Sequence, residues 1–222
     1  MFPDGLNRPG SLVAFTLQKV LLVEGRDAWE FFKALLDDLG LANTIEIRNY
    51  GGITELAPYV RTLPAISGFR EVVSLGITRD AESNAQDAFR AVCQALENAR
   101  SREPRTLLHG RLSAPSSPMT KTSGVLSVSV FILPDCVSPG MLETVCLASV
   151  TDDPAMPCVE QYFECLKGGR APTPGNISKA RVQAYLSSRP KPGLLLGEAA
   201  HRGYFPWQSA VFEPVKQFLR AL

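Results

Sequence analysis

The stretch Lys19-Val-Leu-Leu-Val-Glu-Gly-Arg-Asp-Ala-Trp-Glu-Phe-Phe32 decides how this chain is read. It opens as an apolar run of the kind a buried strand needs, breaks at Glu24-Gly25, and resumes as an amphipathic helix. A carboxylate placed directly after a buried strand is costly unless something positive meets it. The glycine beside it lets the backbone turn tightly and leaves room for a ligand. In an open α/β sheet, ligands bind in the crevice beyond the carboxyl ends of the strands. Glu24 is therefore either a helix-start acid favoured by the dipole or one wall of a cation site.

Working outward, residues 1–10 are rich in Gly, Pro and Asn and read as a loose arm. Leu17 to Val23 is the first strand, and Ala28 to Leu39 the first helix, with Phe31, Phe32, Leu35, Leu36 and Leu39 at helical spacing and Gly40 placed to end it. Thr44 to Arg48 reads as a short strand, Asn49-Tyr-Gly-Gly52 as a loop, and Ile53 to Leu63 as a helix. Glu71 to Ile77 is a second buried-type run, leading straight into Thr78-Arg-Asp-Ala-Glu82, and Asn84 to Ala99 follows as a helix. Val125 to Leu133 is a fourth strand, and Ser138 to Ser149 a helix. This alternation predicts an α/β fold, a Rossmannoid parallel sheet of about four strands with helices on both faces. Residues 1–150 form the α/β domain. Residues 151–222, with helices over Val159 to Leu166, Ser178 to Leu186 and Glu213 to Leu222, form a helical extension packed on the same core.

Arg100 to Gly124 interrupts the rhythm. It carries Arg100, Arg102, Arg105, Arg111 and Lys121 against the single acid Glu103. A long non-periodic insert is a solvated loop or a functional one, and its bases suit a grip on phosphate groups.

Acids recur where strands end: Glu24 after the first, Asp80 and Glu82 after the third, Asp135 and Glu143 around the fourth. In extended backbone, Asp80 and Glu82 share one side. Parallel strands bring their carboxyl ends to one edge, where converging carboxylates repel unless a divalent cation lies among them. Oxygen donors without His or Cys favour Mg²⁺ or Mn²⁺ over zinc. Asp27 and Asp135 have weaker claims, as a helix-start acid and a turn acid. Arg26 and Arg79 flank the acids, and serve either substrate phosphate or surface ion pairs. Lys179 and Arg181 read as solvated, and Tyr204, Phe205 and Trp207 as a packed cap.

Val23-Glu24-Gly25, Asn49-Tyr-Gly-Gly52 and the apolar strand ending in Asp80-Ala-Glu82 resemble a Toprim domain, the fold shared by topoisomerases, bacterial primases and overcoming-lysogenization-defect nucleases. The Gly-Met-Leu-Glu143 helix start resembles small stand-alone Toprim proteins related to those nucleases, and the resemblance spans about residues 17–150. It departs from the family pattern at Glu82, which stands where a second aspartate is usual and is one methylene longer. It supplies no topoisomerase tyrosine, and the zinc-binding and polymerase domains of a full primase are absent. The resemblance implies Mg²⁺-dependent phosphodiester chemistry, with DNA or RNA as substrate. Glu24, Asp80 and Glu82 would be catalytic, the same three with Glu143 would hold the metal, and Arg26, Arg79, Arg102 and Arg105 would contact phosphate. The alternative is a non-catalytic Toprim-like binding or regulatory module with a protein partner in a defence or repair assembly. A nucleotide-handling doubly wound domain is disfavoured, because no Gly-x-Gly-x-x-Gly occurs.

Composition adds limits. The 222 residues are 45% hydrophobic and 20% charged, with a formal net charge of +1, so any nucleic-acid contact must come from a local patch. No apolar run reaches the roughly 18 residues of a membrane span, and the N-terminus lacks a signal-peptide core. Five scattered cysteines without a Cys-x-x-Cys pair, and only two histidines, disfavour a structural zinc site and fit a cytoplasmic protein with reduced thiols.

Overall fold

Val20, Leu21, Leu22 and Val23 are all fully buried, because both faces of the strand they form are covered. The computed structural model describes residues 8–101, 112–169, 172 and 174–222. Val20 and Leu22 enter one hydrophobic cluster, Leu21 and Val23 the other, as the two-residue period of a strand requires. The strand, β1 (Lys19–Glu24), leads directly into α1 (Gly25–Asp38), where Gly25 takes φ +81°. Only glycine adopts that angle without strain, so the strand-to-helix turn can be this tight directly behind Glu24.

The chain continues as β2 (Ile45–Gly51), α2 (Leu56–Thr62), β3 (Ser74–Asp80), α3 (Ala85–Ser101), β4 (Ser127–Leu133) and α4 (Leu142–Ala148). The four strands form one parallel sheet in the order β2-β1-β3-β4. The fold is thus α/β and Rossmann-like, with helices on both faces. α2 and α3 cover one face with Leu56, Val60, Val92 and Leu96. On the other, α1 joins the C-terminal helices α5 (Met156–Gly168), α6 (Ile177–Ser187), α7 (Leu196–His201) and α8 (Glu213–Ala221) in a single cluster. Phe218 of α8 lies 5.4 Å from Phe131 of β4, and Phe31 of α1 lies 5.3 Å from Trp207, ring centroid to centroid. Among the described residues no helix is long and apolar enough to cross a membrane.

Several elements differ from the sequence expectation. Asn49 to Gly51 belong to β2, because the parallel ladder with β1 carries that strand on to pair Gly51 with Glu24. The third strand sits later than expected, and Asp80 is its last residue, held by full pairing with β4 through Leu133. The helix expected from Ser138 starts at Leu142. The six residues of α7 are too few to show a period in the sequence; they are helical because they pack on α1. Gly197 makes that packing close: a Cβ there would lie 2.3 Å from Glu30 Cβ and 3.0 Å from the Asp27 carbonyl oxygen. Gly197→Ala should cost about 1–3 kcal/mol through overpacking. Gly168→Ala, where a Cβ meets nothing within 4 Å, should be close to neutral. Urea unfolding of the two variants checks the contrast.

Residues 8–17 cover the exposed edge of β2. Gly10 N–H donates to the Asn49 carbonyl at 3.2 Å. Beneath this segment lies a buried ion pair, Glu46 with Arg48, whose side chains are 4% and 0% exposed. Glu46 Oε2 accepts from Thr16 N (2.8 Å), Thr16 Oγ1 (2.9 Å) and Leu17 N (3.1 Å). Arg48 Nη2 donates to the Ala14 carbonyl at 2.7 Å, and its guanidinium lies 4.4 Å from the Phe15 ring centroid. The arm is tied to the sheet edge by charge as well as by backbone.

Candidate functional site

At the carboxyl edge of the sheet, Glu24 and Asp80 close the two central strands, β1 and β3. Glu24 is half-buried. Burial raises its pKa above the usual carboxylate value; the neighbouring Arg79 charge and the Tyr50 hydroxyl oppose this. Asp80 Oδ1 accepts the Leu142 N–H of α4 at 3.0 Å, so the acid ending β3 caps a helix that follows β4. Its pKa is pushed up to about 7, by burial first and then by the charges of Glu24 and Glu143, with the Leu142 amide pulling the other way.

Glu143, in the first turn of α4, is 8% exposed. Burial lifts its pKa, Lys179 lowers it, and Asp27 and Glu82 add to the rise. Glu82 is exposed and sits at φ +53°, so the extended backbone expected for Asp80-Ala-Glu82 is not what forms. The left-handed turn is locked by an antiparallel bridge, with Glu82 N–H donating to the Gly140 carbonyl and Gly140 N–H to that of Glu82, both at 2.8 Å. A non-glycine residue held at such an angle stores strain of about 1–3 kcal/mol, a feature common at functional sites. The Glu82 charge nevertheless reaches Glu24, Asp80 and Glu143.

Lys179 is exposed on α6, as its sequence position suggests, with 62% of its side chain open to solvent. Its Nζ nevertheless lies 4.0 Å from Glu143 Oε1, and its charge also acts on Glu24. It arrives there because Asn176 caps α6 through Lys179 N–H (2.9 Å) and contacts Met141 Sδ at 3.4 Å, anchoring that helix start beside α4. No spacing in the sequence links residues 143 and 179; the signal exists only in the packing of the C-terminal helices.

The other candidates divide. Arg79, on β3, faces Glu24, and its Nε is buried without a hydrogen-bond partner. Arg26 lies 3.7 Å from Glu198 of α7. Asp27 stands near Glu143, as its effect there records. Asp135 is a turn acid: its carboxylate accepts from Ser138 N and Oγ (both 2.7 Å) and Val137 N (3.0 Å). Against a burial effect that raises it, these bonds hold its pKa below the usual range. Arg181 pairs with Glu160 at 2.6 Å. Arg102 and Arg105 lie outside the described residues.

The side chains as they stand do not close a coordination shell. Among the described residues, no three His, Cys, Asp or Glu lie close enough together to hold a metal ion. The donor chemistry does fit a hard cation: Glu24, Asp80 and Glu143 are all carboxyls, and all three have raised pKa values at one edge.

A family model described as a protein of unknown function, DUF3226, matches residues 18–222. The chain belongs to DUF3226. The DUF3226 span starts one residue before β1 and runs unbroken through α5 to α8, so the helices that deliver Lys179 lie within the family's common region. Neither the curated proteins nor the solved structures give a match.

Proposed function

We propose that this DUF3226 protein is a Mg²⁺- or Mn²⁺-dependent enzyme of Toprim type that cleaves phosphodiester bonds in DNA or RNA. The observation that carries the reading is the coupling of Glu24, Asp80 and Glu143 at the sheet edge. Burial raises the pKa of all three, and at Asp80 the Glu24 and Glu143 charges add to the rise. Glu24, Asp80, Glu82 and Glu143 would hold the cation, which when bound supplies Lewis-acid activation of phosphate and water. Lys179 and Arg79 are the cations placed beside these acids, suited to meeting a substrate phosphate. Without the cation, burial first and then the Glu24 and Glu143 charges push the Asp80 pKa up to about 7, so cation binding would displace a proton from this carboxyl near neutral pH. Glu82, exposed on its strained turn, is the acid with most freedom to move onto a ligand.

The test measures cleavage of plasmid DNA, single-stranded DNA and RNA with Mg²⁺ and with Mn²⁺, for wild type and Glu24→Gln. Loss of at least about 100-fold in the variant, with an unchanged melting temperature, is the expected result. Full cleavage by Glu24→Gln would sink the assignment. One observation favours a second reading, a non-catalytic binding or regulatory module: Glu82, a methylene longer than the aspartate usual there, stands exposed on a left-handed turn. Calorimetry separates the two, since absence of heat with millimolar Mn²⁺ would favour the module.

A further inference from the structure

Asn49 and Tyr50 lie beneath Glu24, and no role above uses them. Both are buried, at 1% exposure each. The β1–β2 ladder pairs Val23 with Asn49 and then Glu24 with Gly51, which leaves Tyr50 as the extra residue of a bulge. Bulges re-aim side chains and recur beside active sites. Here the bulge turns Tyr50 under β1 towards β3. Its single hydroxyl proton is shared between acceptors on the two central strands, the Thr78 carbonyl oxygen at 3.0 Å and Glu24 Oε2 at 3.4 Å. Asn49 acts on the backbone beside it. Its Oδ1 accepts from Gly25 N–H at 3.1 Å and from Gly51 N–H at 2.9 Å. One side-chain oxygen thereby fixes the turn after Glu24 against the end of the neighbouring strand.

We infer that Asn49 and Tyr50 are positioning residues that pre-aim the Glu24 carboxylate for a divalent cation, Asn49 by clamping the Gly25 turn and Tyr50 by holding the carboxylate from below. The inference rests on the proposed metal-dependent function. Groups behind a metal ligand restrict its rotation, and their removal typically weakens metal binding by about 10–100-fold. Neither residue touches substrate in this scheme.

The experiment is Mn²⁺ calorimetry on the full chain, for wild type, Glu24→Gln, Tyr50→Phe, Asn49→Ala and Asn49→Asp, with a melting curve for each. Tyr50→Phe removes one oxygen and should weaken Mn²⁺ by about 10-fold or more. Asn49→Ala removes the acceptor for both amides and should do the same. Asn49→Asp keeps that acceptor and should bind within about threefold of wild type, and an unchanged melting temperature in Asn49→Ala separates lost aim from lost fold. If Tyr50→Phe does not fold, the two Asn49 variants decide. Wild-type affinity in folded Tyr50→Phe and Asn49→Ala, with Glu24→Gln impaired, overturns the inference and leaves the metal site standing. No Mn²⁺ binding by wild type overturns both.

Discussion

Asp80→Asn is expected to abolish Mg²⁺-dependent cleavage and, at pH 8 without divalent cations, to make the protein more stable. The two effects have one cause. The carboxyl ionises at about 7 in the folded protein against 3.8 for the free group. Between those values the folded state binds the proton and the unfolded state does not. The stability contribution from this group is therefore fully present below pH 3.8 and is lost as pH rises through 7. Above that, folding carries the cost of a buried charge facing Glu24 and Glu143. The amide is isosteric, keeps an acceptor for the Leu142 N–H, and carries no charge. Asp80→Asn should gain about 2–4 kcal/mol over wild type at pH 8 and little at pH 4. Saturating Mg²⁺ should shrink the difference by stabilising wild type alone. Melting curves at pH 4, 6 and 8, with and without Mg²⁺, check this. An Asp80→Asn variant less stable than wild type at pH 8 without metal would contradict the electrostatic account of the site.

Arg48→Met should destabilise the protein by about 3–5 kcal/mol, the cost of breaking a buried ion pair from one side. The guanidinium has no exposed surface and satisfies both Glu46 and the Ala14 carbonyl. Its loss leaves a carboxylate under residues 14–17 with only neutral donors. Hydrogen exchange should report the damage locally, with faster exchange at Thr16 and Leu17, whose amides bond to Glu46. Adding Glu46→Gln should recover part of the loss, because no buried charge then remains unpaired. A loss below about 1 kcal/mol in Arg48→Met would place the pair with the weak surface type.

Both experiments concern features that differ in how readable they are from the sequence. The acids at 24, 80 and 82 stand out because each follows an apolar run. Glu143 stands out as an acid opening a helix. The buried pair is invisible in that sense: Ile45-Glu-Ile-Arg48 looks like an alternating strand with one wet face. Its polar face is instead roofed by residues 11–17, a contact across about thirty positions of chain. The same holds for Asn49 and Tyr50, which read as loop until the parallel ladder draws them into β2.

Hydrophobic periodicity is local, and so the sequence by itself determined the parallel α/β architecture, the number of strands and the set of acids that end them. It could not determine which side of each strand end an acid faces. That depends on the bulge at Tyr50 and the left-handed turn at Glu82, both products of pairing with distant segments. Nor could it bring Lys179 to Glu143, which required α6 to be seated beside α4 by the packing of the C-terminal helices. Tertiary structure also sets the charge state of the site, because the Asp80 carboxyl is raised by burial and by neighbours far away in sequence. Apolar pattern is written residue by residue, but electrostatics and hydrogen bonding at the sheet edge exist only once the chain has closed around them.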